Sequence, residues 1–320
     1  MRFSCALPVD DIGEGGFLSI DGLSEMVRAI DGAGLDACFV TDHPAPSRRW
    51  LDHGGHATLD PFVALTAAAA ASPRIHLHTH ILVLAYRNPF VVAKAAASLD
   101  ALSGGRLVMG IGTGYLRPEY AAVGVPFEER GPLTDEALDI LRQAWTGKPV
   151  AYQGRHFEAR DVVVLPKPGN PAGIPVWAGG NSERAIRRAV ERCEGWCPFP
   201  VEGVVSTTAR TEELANIGQL RDKLAYAEDL AAKIGRDRPL EICMGRFQHD
   251  VAMKPGERGD AVRAVDDYLQ LAEVGVGWTT MSVPSPSRSA FIENVQWFGE
   301  EVVAKVNAGT SGRAAQKTGL

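Results

Sequence analysis

Apolar residues recur along this chain in two alternating rhythms. The first is a set of short runs rich in β-branched and large apolar residues: Arg2 to Leu7, Leu35 to Thr41, Arg74 to Leu84, Leu107 to Gly112, Ile174 to Ala178, Gly195 to Pro198, Leu240 to Phe247 and Val276 to Val283. Each reads as a strand. The second rhythm is a spacing of three and four, which gives a helix one buried face. Leu23, Met26, Val27 and Ile30 show it, as do Val91, Val92, Ala95, Ala96 and Leu99. Leu133 to Trp145, Ala185 to Val190, Leu214 to Ala227, Val262 to Leu269 and Phe291 to Val302 continue the series, and alanine-rich Leu59 to Ala71 completes it.

About eight strands alternating with about eight helices is the arithmetic of an α/β (β/α)₈ TIM barrel. A doubly wound open sheet is the competing arrangement. Loop lengths favour the barrel. Helix-to-strand links are short, as at 31–34, 72–73 and 103–105, whereas strand-to-helix links are long, at 43–58, 115–131, 198–210 and 249–259. A barrel enzyme builds its site from those long loops. One stretch breaks the alternation: a hairpin is predicted between Lys148 and Lys167, inserted before the fifth strand. No linker divides the chain, so residues 1–308 are expected to form one domain and 309–320 a flexible tail.

Composition narrows the class. Of 320 residues, 45% are hydrophobic and the net charge is −6, which argues against a general nucleic-acid binder. No apolar run reaches the roughly 18 residues of a membrane span. The start, MRFSCALPVDD, does not read as a signal peptide. Five Cys are too few and too odd for a disulfide framework. The expectation is a soluble cytoplasmic enzyme acting on a small molecule.

Four clusters carry candidate chemistry. Thr41-Asp42-His43-Pro44 ends the second strand; His43 suits proton transfer and Asp42 suits orienting a ring, although a polar turn capping the strand reads equally well. Met109-Gly-Ile-Gly-Thr-Gly-Tyr115 ends the fourth strand and lets backbone approach a ligand closely; it is neither the dinucleotide fingerprint nor a P-loop, and a ligand-facing loop at the barrel mouth is preferred over a tight turn. Val176-Trp-Ala-Gly-Gly-Asn-Ser182 ends the fifth strand and opens a helix, with Asn181 or Ser182 as N-cap, which makes the best phosphate pocket in the chain. His76, His78 and His80 share one strand face, with packing in the core or His80 near the mouth preferred over a metal site, so no metal is expected. No G-x-S-x-G elbow is present, which disfavours an α/β-hydrolase.

Taken together, GLDACFVTDH (34–43), LDPFVALTAAAAASPRIHL (59–77), RNPFVVAKAAASLDALSGGRLVMGIGTGY (87–115), GVPFEERGPLTDEALDILRQAW (124–145) and LPKP followed by PVWAGGNS (165–182) resemble the luciferase-like monooxygenase superfamily, most of all its coenzyme F420-dependent oxidoreductases. The resemblance is collinear over about residues 1–200 and weakens beyond. It implies a barrel with a flavin or deazaflavin at its C-terminal mouth. Asp42 and His43 fall on the family's Asp-His pair beside the ring. Gly112, Thr113, Gly114 and Tyr115 fall on its glycine loop, and Ala178, Gly179, Gly180, Asn181 and Ser182 on its phosphate loop. A non-proline cis peptide is implied at His80–Ile81, placing both residues against the ring. This chain departs from the pattern at three positions. His80 replaces a small residue, Ser47 stands where sugar-phosphate dehydrogenases carry Trp (Trp50 is the nearest), and Tyr115 stands where they carry an acid.

The resemblance implies hydride transfer between coenzyme F420 and an unidentified substrate, with proton transfer at His43 and Asp42 at the ring edge. An oligoglutamate tail on the coenzyme calls for cations; Arg48, Arg49, Arg117 and Arg184 are candidates. An FMN-dependent monooxygenase and a non-catalytic flavin-binding barrel are the alternatives. Homodimers are common in the family, and the small faces Ala64 to Ala71 and Ala93 to Ala97 suit either dimerisation or internal helix packing.

Overall fold

A computed structural model describes residues 1–9, 16–247 and 258–310. In chain order its elements are β1 (Arg2–Ala6), α1 (Ile20–Gly32), β2 (Ala37–Val40), α2 (Arg48–Leu51), α3 (Pro61–Ala71), β3 (His76–Val83), α4 (Pro89–Ser103), β4 (Leu107–Gly112), α5 (Arg117–Ala122), α6 (Arg130–Ala144), β5 (Val150–Gln153), β6 (Glu158–Val162), β7 (Val176–Gly179), α7 (Glu183–Arg192), β8 (Gly195–Cys197), α8 (Gly203–Ala209), α9 (Ile217–Lys233), β9 (Glu241–Ile242), α10 (Arg258–Glu273), β10 (Trp278–Met281) and α11 (Arg288–Phe298).

Eight strands pair in the order β10-β1-β2-β3-β4-β7-β8-β9, all in parallel. A parallel bridge from Cys243 to Trp278 closes the ring, supported by Met244 N–H donating to the Trp278 carbonyl at 3.1 Å and Gly277 N–H to the Ile242 carbonyl at 3.1 Å. The sheet is therefore a barrel, and the open-sheet competitor is excluded. The predicted run Leu240 to Phe247 yields only a two-residue strand, because past Ile242 the pairing reduces to that single bridge. The inserted hairpin is present as antiparallel β5 and β6, outside the barrel.

Two apolar layers hold the fold. The larger lies between the sheet and its surrounding helices, around Phe3, Met26, Leu65, Leu141 and Phe298. The smaller fills the barrel interior with Ala37, Val108, Trp177, Cys197, Cys243 and Trp278. The His triplet of β3 joins this inner layer: His76 packs edge-on to Trp278 at 5.7 Å, and His78 to Trp177 at 5.1 Å. All five cysteines are buried and free, as small apolar groups would be.

The helices α3 and α4 start by one device. Asp60 and Asn88 accept hydrogen bonds from the first-turn N–H groups, and a proline follows each. Arg87 ties the two starts together. It donates to both oxygens of Asp42 at the end of β2 (2.6 and 2.9 Å) and to Asp60 Oδ2 (3.1 Å).

The long strand-to-helix loops carry short helices: α2 follows β2, α5 follows β4 and α8 follows β8. Two expectations fall partly outside the described residues. The loop 249–259 is described only from Arg258, where α10 begins, and the tail 309–320 only to residue 310, through which the last helix runs.

Candidate functional site

A cavity of about 680 Å³ opens at the C-terminal ends of the strands. This is within the size range of cofactor sites. Asp42, His43, His80, Ile81, Gly112, Thr113, Gly114, Tyr115, Gly179, Gly180 and Ser182 all line it. All four sequence clusters thus converge on one space. Ala178 and Asn181 do not reach it. Ala178 is buried within β7, and the Asn181 side chain is consumed in stitching loops, donating to the carbonyls of Phe199 (2.8 Å) and Glu212 (3.0 Å) and accepting from Phe199 N–H (3.0 Å).

His43 stands in a cage. Its Nδ1 lies 3.2 Å from Oε2 of Glu119, which is fully buried on α5. The same oxygen accepts from the Tyr86 hydroxyl at 2.8 Å, and Oε1 accepts from Ala45 N–H at 3.3 Å. With the carboxylate as acceptor, Nδ1 is the donor of this bond, which leaves Nε2 for other partners. The Trp50 ring packs on the imidazole at 4.5 Å and His56 at 5.0 Å. Trp50 is held by a bend at Gly55, where a β-carbon would stand 2.3 Å from the indole. The position four after His43 is Ser47, but it serves as N-cap of α2 and delivers Trp50 to the imidazole face.

Asp42 is 2% exposed and accepts three hydrogen bonds: two from Arg87 and one from Val83 N–H at 2.9 Å. A carboxylate offers about four acceptor sites. One remains for a donor in the cavity.

The His80–Ile81 peptide bond is cis. His80 Nδ1 is buried with no hydrogen-bond partner among the described residues, and burial lowers the imidazole to about 4, so the ring is neutral. The cheaper orphan is a lone pair, which puts the proton on Nε2. Across the cavity, burial and then the Glu119 charge push the Tyr115 phenol up to about 12, which keeps its O–H intact. Tyr120 pins this glycine loop by donating its hydroxyl to the Thr113 carbonyl.

Gly180 adopts φ +111°, a backbone state that side chains disfavour, and turns the chain into α7. Ser182 caps that helix through Ala185 N–H at 3.3 Å. The N–H groups of Ser182 and Arg184 have no hydrogen-bond partner among the described residues. Open donors at a helix start suit an anionic oxygen. Glu212 sits beside them, accepting from Glu183 N–H at 3.4 Å, with its charge offset by Lys223 at 2.6 Å.

Beyond this loop the wall is cationic: Arg130, Arg184, Arg188 and Arg210 line the cavity. Arg188 is paired with Asp135 at 2.6 Å, and Glu128 lies 3.8 Å from Arg130 but pairs closely with Arg117. Arg184 and Arg210 have no carboxylate partner among the described residues. Arg117, Arg130 and Arg210 crowd one ring, Phe127, at 4.2, 4.0 and 5.2 Å. Of the four cations expected from sequence, only Arg184 reaches the cavity. Arg48 and Arg49 lie exposed on α2, and Arg117 is spent on Glu128.

One group among the described residues brings metal-ligand atoms together: His78, Cys197 and Cys243, within 4.8 Å of one another inside the barrel. Burial lowers His78 and holds the Cys197 thiol well above its ordinary range.

Glu119, Tyr86 and Arg87 escape a reading by sequence. Glu119 sits in a stretch that reads as loop, and its signal is slight: an acid in the first turn after Pro118. Arg130, Arg188 and Arg210 are missed because only folding gathers them.

Residues 1–247 match the family described as luciferase-like monooxygenase. An uncharacterized protein of Mycobacterium tuberculosis is 30% identical over 266 residues, covering 82% of this chain and 83% of the relative. An F420-dependent glucose-6-phosphate dehydrogenase of Intrasporangium calvum is 37% identical over 155 residues, 46% of this chain and 45% of the relative. Among solved structures, the monooxygenase RslO1 from Streptomyces bottropensis superposes with a TM-score of 0.71 at 20% identity, over 95% of this chain and 99% of that one. A coenzyme F420-dependent tetrahydromethanopterin reductase from Methanopyrus kandleri gives 0.69 at 16%, over 95% and 98%. At these identities the structural likenesses show the barrel fold.

Proposed function

The chain belongs to the luciferase-like monooxygenase family, and from that footing we propose that it is an oxidoreductase that uses coenzyme F420 as its hydride carrier. The observation that carries the choice over FMN is the arginine wall beside the helix start. FMN ends in one phosphate, which the open N–H groups of Ser182 and Arg184 suffice to hold. Arg130, Arg184 and Arg210 lie beyond that point. They suit the additional carboxylates of the F420 tail, and Arg184 and Arg210, without a carboxylate partner among the described residues, call for an anion. The F420-dependent relative from Intrasporangium calvum supports the same choice.

The residues present fit a flat, phosphate-bearing cofactor. Gly180 leaves room that a side chain would take, the α7 start offers donors, and Ile81 and Val83 supply an apolar wall. When bound, the deazaflavin supplies two-electron hydride chemistry. Each protein group then has a separate task. Arg87 and Val83 N–H hold Asp42, whose last acceptor site would be open to a donor on the bound ring. His80 offers a neutral Nε2–H to a carbonyl oxygen in the cavity. Glu119 fixes the tautomer of His43, which exchanges a proton with the substrate at Nε2. Trp50 and His56 shield that imidazole from bulk water.

Titrating the purified protein with F420 and, separately, with FMN tests the proposal. Micromolar binding of F420 with much weaker FMN is expected. The reverse preference, with oxygen-dependent product formation from reduced FMN, would move the chain to the flavin monooxygenases.

A further inference from the structure

A second cavity, of about 750 Å³, opens beside the first at the ends of β1, β2 and β10. The two share Thr41 and His56 as a common wall. Thr41 Oγ1 and His56 Nε2 lie 2.9 Å apart, and His56 packs against His43 at 5.0 Å. The proton-transfer residue of the first cavity therefore stands directly behind the partition.

The linings contrast in charge. Leu7, Val9, Phe39, Leu51 and Val283 make the second cavity apolar, and its polar groups are the hydroxyls of Thr41, Thr58, Ser282 and Ser285 and the His56 ring. No Asp, Glu, Lys or Arg lines it among the described residues. Arg130, Arg184, Arg188 and Arg210 line the other side. A phosphate placed here would lose its hydration with no cation to replace it. An apolar body would gain by leaving water, and one oxygen would find a hydroxyl or imidazole partner.

We propose that this second cavity binds the substrate, and that the substrate is an uncharged, mainly apolar molecule bearing one hydroxyl or carbonyl oxygen. The proposal rests on the F420 reading for what occupies the first cavity. A molecule spanning the Thr41–His56 wall would lay that oxygen in the first cavity beside His43, while its apolar remainder lies on Leu7, Phe39 and Val283. The lining offers a sugar phosphate no cation among the described residues.

Calorimetric titration of the full chain with cyclohexanol, 2-octanone and glucose 6-phosphate tests this, with an F420 titration run alongside. The two neutral probes are expected to bind with a negative heat-capacity change. With F420 filling the arginine-lined cavity, glucose 6-phosphate should show no binding at about 10 mM. Ala57→Trp fills the second cavity without touching the first, and should weaken both neutral probes by about tenfold or more while leaving F420 affinity within about twofold. Ser282→Trp, at an exposed position on the cavity rim, provides the same block should the first variant fail to fold. Binding of glucose 6-phosphate in place of the neutral probes would overturn the proposal. So would neutral-probe affinities unchanged in both variants. F420 binding without either neutral probe sinks the cavity assignment and leaves the cofactor reading intact; neutral probes bound and blocked by Trp, with no F420 binding, does the opposite.

Discussion

His43 and Glu119 lie 76 residues apart in sequence, yet Nδ1 of one stands 3.2 Å from Oε2 of the other. A fully buried carboxylate that also accepts from Tyr86 has little freedom to move. It therefore sets which imidazole nitrogen faces the cavity. His43→Ala should lower turnover by about 10²- to 10⁴-fold, the usual share of a general acid or base, with F420 affinity little changed. Glu119→Gln should lower turnover by roughly tenfold or more and move the pH–rate profile. A variant with lower turnover but an unmoved profile would show Glu119 to be structural only.

Gly180 is predicted to be intolerant of side chains for two reasons. Its φ of +111° is strained for any L-residue, and a β-carbon would meet that of Ala185 at 3.1 Å. The strain is of order 1–3 kcal/mol. Gly180→Val should weaken F420 and FMN alike, since both place a phosphate at this turn. Equilibrium dialysis with each cofactor checks it, and an undiminished affinity would remove the loop from the binding site.

Arg184→Ala and Arg210→Ala should separate the two cofactors. Each is expected to weaken F420 by about two- to fivefold, in the range of partly exposed ion pairs, and to flatten the dependence of F420 affinity on salt. FMN affinity should change less. Equal losses for both cofactors would mean that the arginines serve the phosphate and not the tail.

Acid should destabilise the barrel from within. Burial lowers His76 and His78, and lowers His80 from 6.5 to about 4. Between those values the unfolded chain binds a proton that the folded chain refuses. Stability is therefore complete above about pH 6.5 and falls as pH drops toward 4. For His80 alone the loss is on the order of 3 kcal/mol by pH 4. Urea midpoints of the parent and His80→Leu at pH 7 and pH 4.5 measure it. The variant should lose less on acidification, and identical losses would clear His80 of the effect.

The barrel is legible in the sequence because parallel strands covered on both faces read as plain apolar runs, and the helices around them show one buried stripe. The strand ends are legible as well, since Pro44 and the glycines at 110–114 and 179–180 interrupt those runs. The polar network is far less so. Arg87 precedes a helix cap and nothing in its local spacing marks it, yet it holds Asp42. Asn181 reads as a ligand group, yet its amide is saturated by Phe199 and Glu212. Such assignments depend on which long-range partners arrive, and local spacing carries no record of them.

The reach of Arg87 divides the cavity into two mechanical halves. One guanidinium bridges the end of β2 and the start of α3, from a position two residues before α4. Three elements converge there, so that rim is preorganised before any ligand arrives. The opposite rim is built from short helices on long loops, where Arg210 and Phe127 sit. A ligand with a rigid ring and a flexible anionic tail meets these halves in order. Its ring docks with little entropy left to lose, and its tail does the ordering. Association should then be governed by ring fit, and residence time by how many tail charges the arginine side engages.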